Sequence, residues 1–277
     1  MTLAQAFPFA FFLLLAELAV GSFLVLLLAD FEGEVGRGFL GLNGLIFLAA
    51  GLVGQWARTT YPGHDQLAAA GIRVEWVARE GRAFAFFLLF LALYHILTWF
   101  PWPPGRRLAG SLAALAGVAA LLSSGVAYGW APWGAAGAAV SFLAASLVLG
   151  GAMTGMLLGH WYLVSPLLSP RPLRHMTIVL FGALAWQLLT LPVYLGWLGP
   201  PVAAARGAEL LGRYGLILGV RVALGLVFPL VLAALAWHTT RIKAMRSATG
   251  LLYIGIGVVL TGEITAKVLF FLGRLPV

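Results

Sequence analysis

The chain is a succession of long apolar runs broken by short clusters of glycine, proline and charge. About 20 apolar residues cross a bilayer as a helix, and the runs place eight such helices near residues 8–29, 38–57, 83–100, 108–128, 134–159, 175–196, 212–237 and 249–272. Barrel strands would show alternating segments of about ten residues, a pattern these continuous Leu, Ala and Phe runs lack. The expectation is an all-α integral membrane protein with eight transmembrane helices, one polytopic domain over residues 1–277. The first run follows MTLAQAF, which has no basic n-region, and it exceeds 20 residues without a small-residue cleavage site, so it reads as a retained span.

Composition narrows the picture. The chain is 62% hydrophobic and 9% charged, against about 45–50% and 25% in soluble domains, so its natural partner is the lipid bilayer. Short connections leave no room for a soluble domain, and any large extramembrane chemistry belongs to another chain. There is no cysteine, which excludes disulfides, zinc-thiolate sites and iron–sulfur clusters held by this chain. The net charge of +8 is accounted for by arginines at helix ends facing anionic lipid, so nucleic acid is not expected as a partner.

Eight spans put both termini on one side, face A, with face B opposite. Basic residues outside the spans divide almost evenly, but the tight clusters Arg106–Arg107 and Arg241 to Arg246 sit beside helix ends on face B. That tilts face B toward the cytoplasm and the termini toward the outside. A faint repeat accompanies this topology: Asp30 and His160, Pro62 and Pro192, and Gly81–Arg82 and Gly212–Arg213 recur at offsets of 130, 130 and 131. Two four-helix halves, 1–130 and 131–277, in parallel orientation are the expectation, unlike the inverted repeats of many secondary transporters.

An ionisable side chain at mid-bilayer costs about 2.5 to 3.5 kcal/mol on insertion scales and needs a reason to be there. Glu17, Arg221, Glu263 and Lys267 lie inside spans, and Glu80 starts the third. Glu263 and Lys267 are an i,i+4 pair in the favourable order. Helix direction puts all five in the face-A half, with Arg58, His64 and Asp65 in the loop above and Arg82 beside Glu80. Interhelical pairing and snorkelling explain some of these groups. Five from four helices at similar depth point further, to a polar pocket or proton route. The histidines segregate oppositely: His95, His160, His175 and His238 fall near face B. They are candidate axial ligands for a haem b, although three of them sit at the water interface, where histidine needs no special role. Gly150, Gly151 and Gly155 read as a close helix contact.

Several stretches resemble the membrane-anchor subunits of dimethyl sulfoxide reductase type enzymes and the NrfD-like subunits of polysulfide and nitrite reductases. LTGEITAKVLFF is similar to the Gly-Glu-x-x-x-Arg-x-x-Phe of their last helix, matched by Gly262, Glu263 and Phe270, with Lys267 in the arginine's place. RYGLILGVRVAL looks like their Tyr-Gly and following Arg through Tyr214, Gly215 and Arg221; FFLLLAELAVGSFLVLLL and AREGRAFAFF resemble the opening helix and the acidic start of helix 3. The family's histidine between helices 2 and 3 lacks a clean counterpart, His64 being displaced and Arg58 nearer its place, and GHWYLVSP is foreign to the pattern.

The resemblance implies eight spans in a bacterial inner membrane and a subunit that oxidises quinol, or reduces quinone, of the menaquinol or ubiquinol type. It also implies an iron–sulfur partner subunit attached to a molybdopterin catalytic subunit. On that reading Arg58, His64, Asp65, Glu80 and Arg82 form the quinone site, and Glu17, Arg221, Glu263 and Lys267 an inner proton route. A b-type membrane cytochrome and a proton or solute transporter are the alternatives.

Overall fold

The computed structural model describes residues 3–130, 133–165, 167–195, 201–274 and 276, and among them the regular structure is entirely helical. Eight helices are long and apolar enough to cross a membrane, which points to a lipid bilayer as the environment. In chain order the elements are α1 (Leu3–Glu32), α2 (Arg37–Ala57), a short α3 (His64–Ala69), α4 (Val74–Thr98) and α5 (Pro103–Tyr128). Then follow α6 (Gly134–Val164), α7 (Arg171–Tyr194), α8 (Pro201–Val222), α9 (Phe228–Arg241) and α10 (Met245–Gly273). The apolar stretch Leu211–Arg241 is one candidate span, with α8 and α9 joined by a π-helical turn over Ala223–Val227.

Most helices start or end a few residues beyond the expected runs. The largest differences are α8, which begins at Pro201 rather than near 212, and α4, which begins at Val74 rather than near 83. The first turns of α4 carry Glu75, Arg79, Glu80 and Arg82, and Val77 and Glu80 on that stretch are buried against the bundle. The expected end of the sixth span at 196 and the start of the second half at 131 lie outside the described residues.

α1 is the most enclosed span. It packs on α2, α5, α6 and α10; α2 packs on α4, α4 on α5, α6 on α5, α7 and α10, α7 on α9, and α9 on α10. Lipid tails are as apolar as leucine, so such helices associate through close packing and interhelical hydrogen bonds. The α1–α6 crossing uses both. A Cβ built on Gly21 would collide with the Ser146 carbonyl, and one on Gly150 would collide with the Gly21 backbone. One turn on, the Thr154 hydroxyl donates to the Ser22 carbonyl at 3.0 Å.

The face-B end of α1 is tied to both sides of the bundle. The buried Asp30 carboxylate accepts from Arg106 and from the Tyr94 hydroxyl at 3.0 Å, while Arg107 donates to the Asp30 carbonyl at 2.9 Å. Glu32 meets His175, and Glu34 meets Arg171 at 3.5 Å. The arginine cluster that served as an orientation signal is therefore also a structural clasp between α1 and α5.

Candidate functional site

Two buried polar networks occupy the face-A half. The inner one draws Glu17 from α1, Gln187 from α7, Arg221 from α8, and Glu263 and Lys267 from α10. Lys267 Nζ stands 2.9 Å from Glu17 and 3.5 Å from Glu263; Arg221 donates to Glu263 at 3.2 Å and Gln187 donates to it at 3.1 Å. All four ionic side chains are at most 3% exposed. Two carboxylates face two cations, so the network is neutral as a whole. That neutrality lets it persist in a medium where an isolated charge would be strongly disfavoured.

Local sequence explains how α8 and α10 come close enough. Pro229 has no N–H to give Gly225, and its ring would clash with that carbonyl in a regular helix. The π turn over Ala223–Val227 opens the backbone at this point. Gly225 then lies directly against Gly262, with no space for a Cβ on either. Arg221 stands one turn before this contact and Glu263 one residue after it, so the crossing of the two glycines brings the ions together.

The second network surrounds Glu80 in α4. Arg58, just past α2, pairs with the Glu80 carboxylate and donates to the Val77 carbonyl at 2.7 Å. Ser124 of α5 donates to Glu80, and Tyr128 donates to it at 2.8 Å. The Tyr61 and Tyr128 hydroxyls are 3.3 Å apart. Arg58 also lies over the rings of Phe12 and Tyr61, at 4.9 and 5.2 Å from their centroids, which supports the charge in a poorly hydrated place. Burial, reinforced by the Glu80 carboxylate, pushes the Tyr61 phenol well above its ordinary range, so it remains a proton-bearing donor.

Phenyl rings stand between the networks. Phe9 of α1 contacts Tyr61, Tyr128 and Phe271, Phe271 packs on Phe270, Phe270 packs on Phe142, and Lys267 lies 5.4 Å from the Phe142 ring. Over the Glu80 side a cavity of about 470 Å³ opens at face A, lined by Gln5, Pro8, Phe9, Thr60, Gln66 and Leu67 among others. Phe9 lines this cavity and packs on the Tyr61 and Tyr128 rings, and Thr60 and Pro62 on either side of Tyr61 line it too.

The two groups of residues expected from the sequence fall in two different places. Glu17, Arg221, Glu263 and Lys267 meet in the inner network, and Arg58 and Glu80 meet in the outer one. His64 and Asp65 are exposed on α3, and Arg82 is exposed on α4, away from the Glu80 carboxylate. None of the four face-B histidines is buried. His95 Nδ1 is 3.0 Å from the Gly41 carbonyl, His160 Nδ1 is 3.0 Å from the Tyr253 hydroxyl, and His175 meets Glu32. The haem expectation draws no support from this arrangement, which sets no pair of histidines in an interior slot.

Sequence reasoning missed Tyr61, Ser124, Tyr128 and Gln187. The signal available for Gln187 was its amide within an apolar run. Tyr128 and Tyr61 sit where aromatic residues ordinarily mark the membrane interface, so their type carried no distinction.

The fold is a helical bundle with eight helices long and apolar enough to cross a membrane, and two buried ionic networks in its face-A half are its candidate chemistry. No protein-family model, curated protein or solved structure matches it.

Proposed function

We propose that the chain is the quinone-reactive membrane subunit of a multi-subunit oxidoreductase, oxidising menaquinol or ubiquinol, or running in reverse. The observation that carries the reading is Glu80, a fully buried carboxylate held by Arg58, Ser124 and Tyr128, with the tyrosine pair packed on Phe9, a wall of an open cavity of mixed polarity. Oxidation of a quinol to a quinone releases two electrons and two protons, so a site needs a proton acceptor and hydrogen-bond partners for the ring oxygens. Glu80 is the proton acceptor, Tyr128 and Tyr61 are the hydroxyl relay toward the cavity, and Arg58 keeps the carboxylate in place.

With no cysteine to hold a cluster, the electrons go to a separate iron–sulfur subunit docked on face A and from there to a molybdopterin catalytic subunit. Protons taken up by Glu80 leave through the tyrosine pair, and the inner network, set apart by the phenyl layer, serves as a separate proton route. The bundle lies in a bacterial inner membrane with its termini outside. Its two four-helix halves have the same order of neighbours, α1–α2–α4–α5 closing on itself as α6–α7–α9–α10 does.

Decylubiquinone titrated into the purified chain in lipid nanodiscs, read by quenching of tryptophan fluorescence, tests the site. Glu80→Gln replaces a charged acceptor with a neutral one and is expected to weaken binding about tenfold, the scale of one hydrogen bond to a charged group. Equal affinity in Glu80→Gln and Arg58→Leu would remove the placement, and saturable binding absent from the wild-type chain would remove the reading. A second expectation concerns the π turn. Pro229→Ala restores the missing donor, so the span should straighten and pull Arg221 from Glu263, lowering thermal stability by about 1–3 kcal/mol, the scale of a disturbed buried contact. An unchanged melting temperature would show that the turn does not hold the ion pair.

A further inference from the structure

A groove between α6 and α7 lies outside the face-A cavity. It holds about 320 Å³ and is lined by Val140, Leu143, Ala144, Leu147, Gly182 and Trp186, among others, with almost no polar surface. Ala144 and Trp186 also line a much smaller cavity next to it, whose other walls include Gln187, Thr190 and Arg221. The inner cavity holds only about 10 Å³, room for one oxygen atom, and it shares the Ala144 and Trp186 walls with the lipid-facing groove, which places Arg221 and Gln187 just behind that groove.

The end of that path is polar and incompletely satisfied. Among the described residues Arg221 Nε and Gln187 Oε1 have no hydrogen-bond partner, although both residues are at least nine-tenths buried. The guanidinium and the amide use their other atoms on Glu263. One remaining group donates and the other accepts, which is what a single hydroxyl requires; a carbonyl oxygen would satisfy the Arg221 donor alone.

We propose that the α6–α7 groove is a lateral binding site for an isoprenoid quinone or quinol, its tail along the groove and one ring oxygen at Arg221 and Gln187. The class of the ring rests on the function proposed above, but the site is separate from the Glu80 cavity. Two features select a neutral head. Glu17 and Glu263 already balance Arg221 and Lys267, so a phosphate would leave an uncompensated charge in the interior. Depth excludes phospholipid head groups as well: Gln187 lies seven residues inside the face-A end of α7, about 10 Å at the helical rise, below the level of a phosphate. The groove itself depends on Gly182, at which an added Cβ meets nothing within 4 Å. A larger side chain there fills the groove without disturbing the packing.

The experiment is photolabelling of the full chain in nanodiscs with an azido-substituted decylbenzoquinone, followed by peptide mapping. Label is expected on two segments, 140–147 of α6 and 182–190 of α7. It should fall at least tenfold in Gly182→Leu and several-fold in Gln187→Leu, while persisting in Glu80→Gln. Unchanged melting of Gly182→Leu excludes unfolding as the cause. Label confined to the face-A cavity would overturn the lateral site and leave the proposed function standing, whereas label at neither place would overturn both. Displacement of the α6–α7 label by excess dioleoylphosphatidylglycerol would assign the groove to a phospholipid chain and overturn the proposal.

Discussion

Lys267→Met is expected to destabilise the bundle by about 3–5 kcal/mol, the scale measured when one member of a buried ion pair is removed. Lys267 is the contact through which Glu17 is held: its Nζ is 2.9 Å from Glu17 Oε1, and Glu17 Oε2 has no hydrogen-bond partner among the described residues. Removing the ammonium strands Glu17 at zero exposure and leaves Glu263 with Arg221 alone. The double variant Glu17→Leu with Lys267→Met removes a cation and an anion together. It should recover most of the loss, because a neutral pair of similar volume has no charge to desolvate. Thermal unfolding of the two single variants and the double variant in the same detergent forms the cycle. A single-variant loss below about 1 kcal/mol, or no recovery in the double, would show that the network is hydrated and loosely coupled.

Gly21→Leu is expected to damage assembly on a comparable scale. The α1–α6 backbones are in contact at Gly21, Ser146 and Gly150, where any Cβ on Gly21 meets carbonyl atoms that have no flexible end to move aside. The helices must separate along their length, which breaks the Thr154 to Ser22 hydrogen bond and loosens the centre of the bundle. Overpacking of a well-packed core ordinarily costs about 1–3 kcal/mol and occasionally more; a backbone-to-backbone crossing belongs at the upper end or beyond. Yield of monodisperse protein and melting temperature read the effect. Gly182→Leu, placed over open space, is the control and should change stability by less than about 0.5 kcal/mol. Equal behaviour of the two variants would mean that α1 and α6 are not in direct contact.

The eight spans were apparent from hydropathy because each is a local property of about 20 residues. The inner network was largely apparent for a related reason. Glu17, Arg221, Glu263 and Lys267 are conspicuous within apolar runs, and helix direction assigns each a depth. Depth carries no information about position around the bundle, however. Glu80 shared the depth of the other four yet belongs to a different network, because α4 packs on α2 and α5 and not on α10. His64, Asp65 and Arg82 were drawn toward Glu80 by proximity in sequence, and the structure leaves all three exposed. Tyr128 and Ser124 approach Glu80 only through the packing of α4 on α5, and no local pattern announces that pairing. Asp30 was noticed as a repeat marker, and Arg106 and Arg107 as a charge cluster. Their union is a contact over more than 70 residues of sequence, beyond the reach of periodicity.

The ring layer of Phe9, Phe142, Phe270 and Phe271 has an electrical consequence. Phenyl groups have no lone pairs or exchangeable hydrogens, so protons cannot hop through them, and they shield a field far less than water does. The two networks are in that sense two plates of a capacitor with an aromatic dielectric. Neutralising Glu80 changes the potential at Lys267 without transferring matter to it, and the coupling between the plates should weaken little as salt is added to the surrounding buffer.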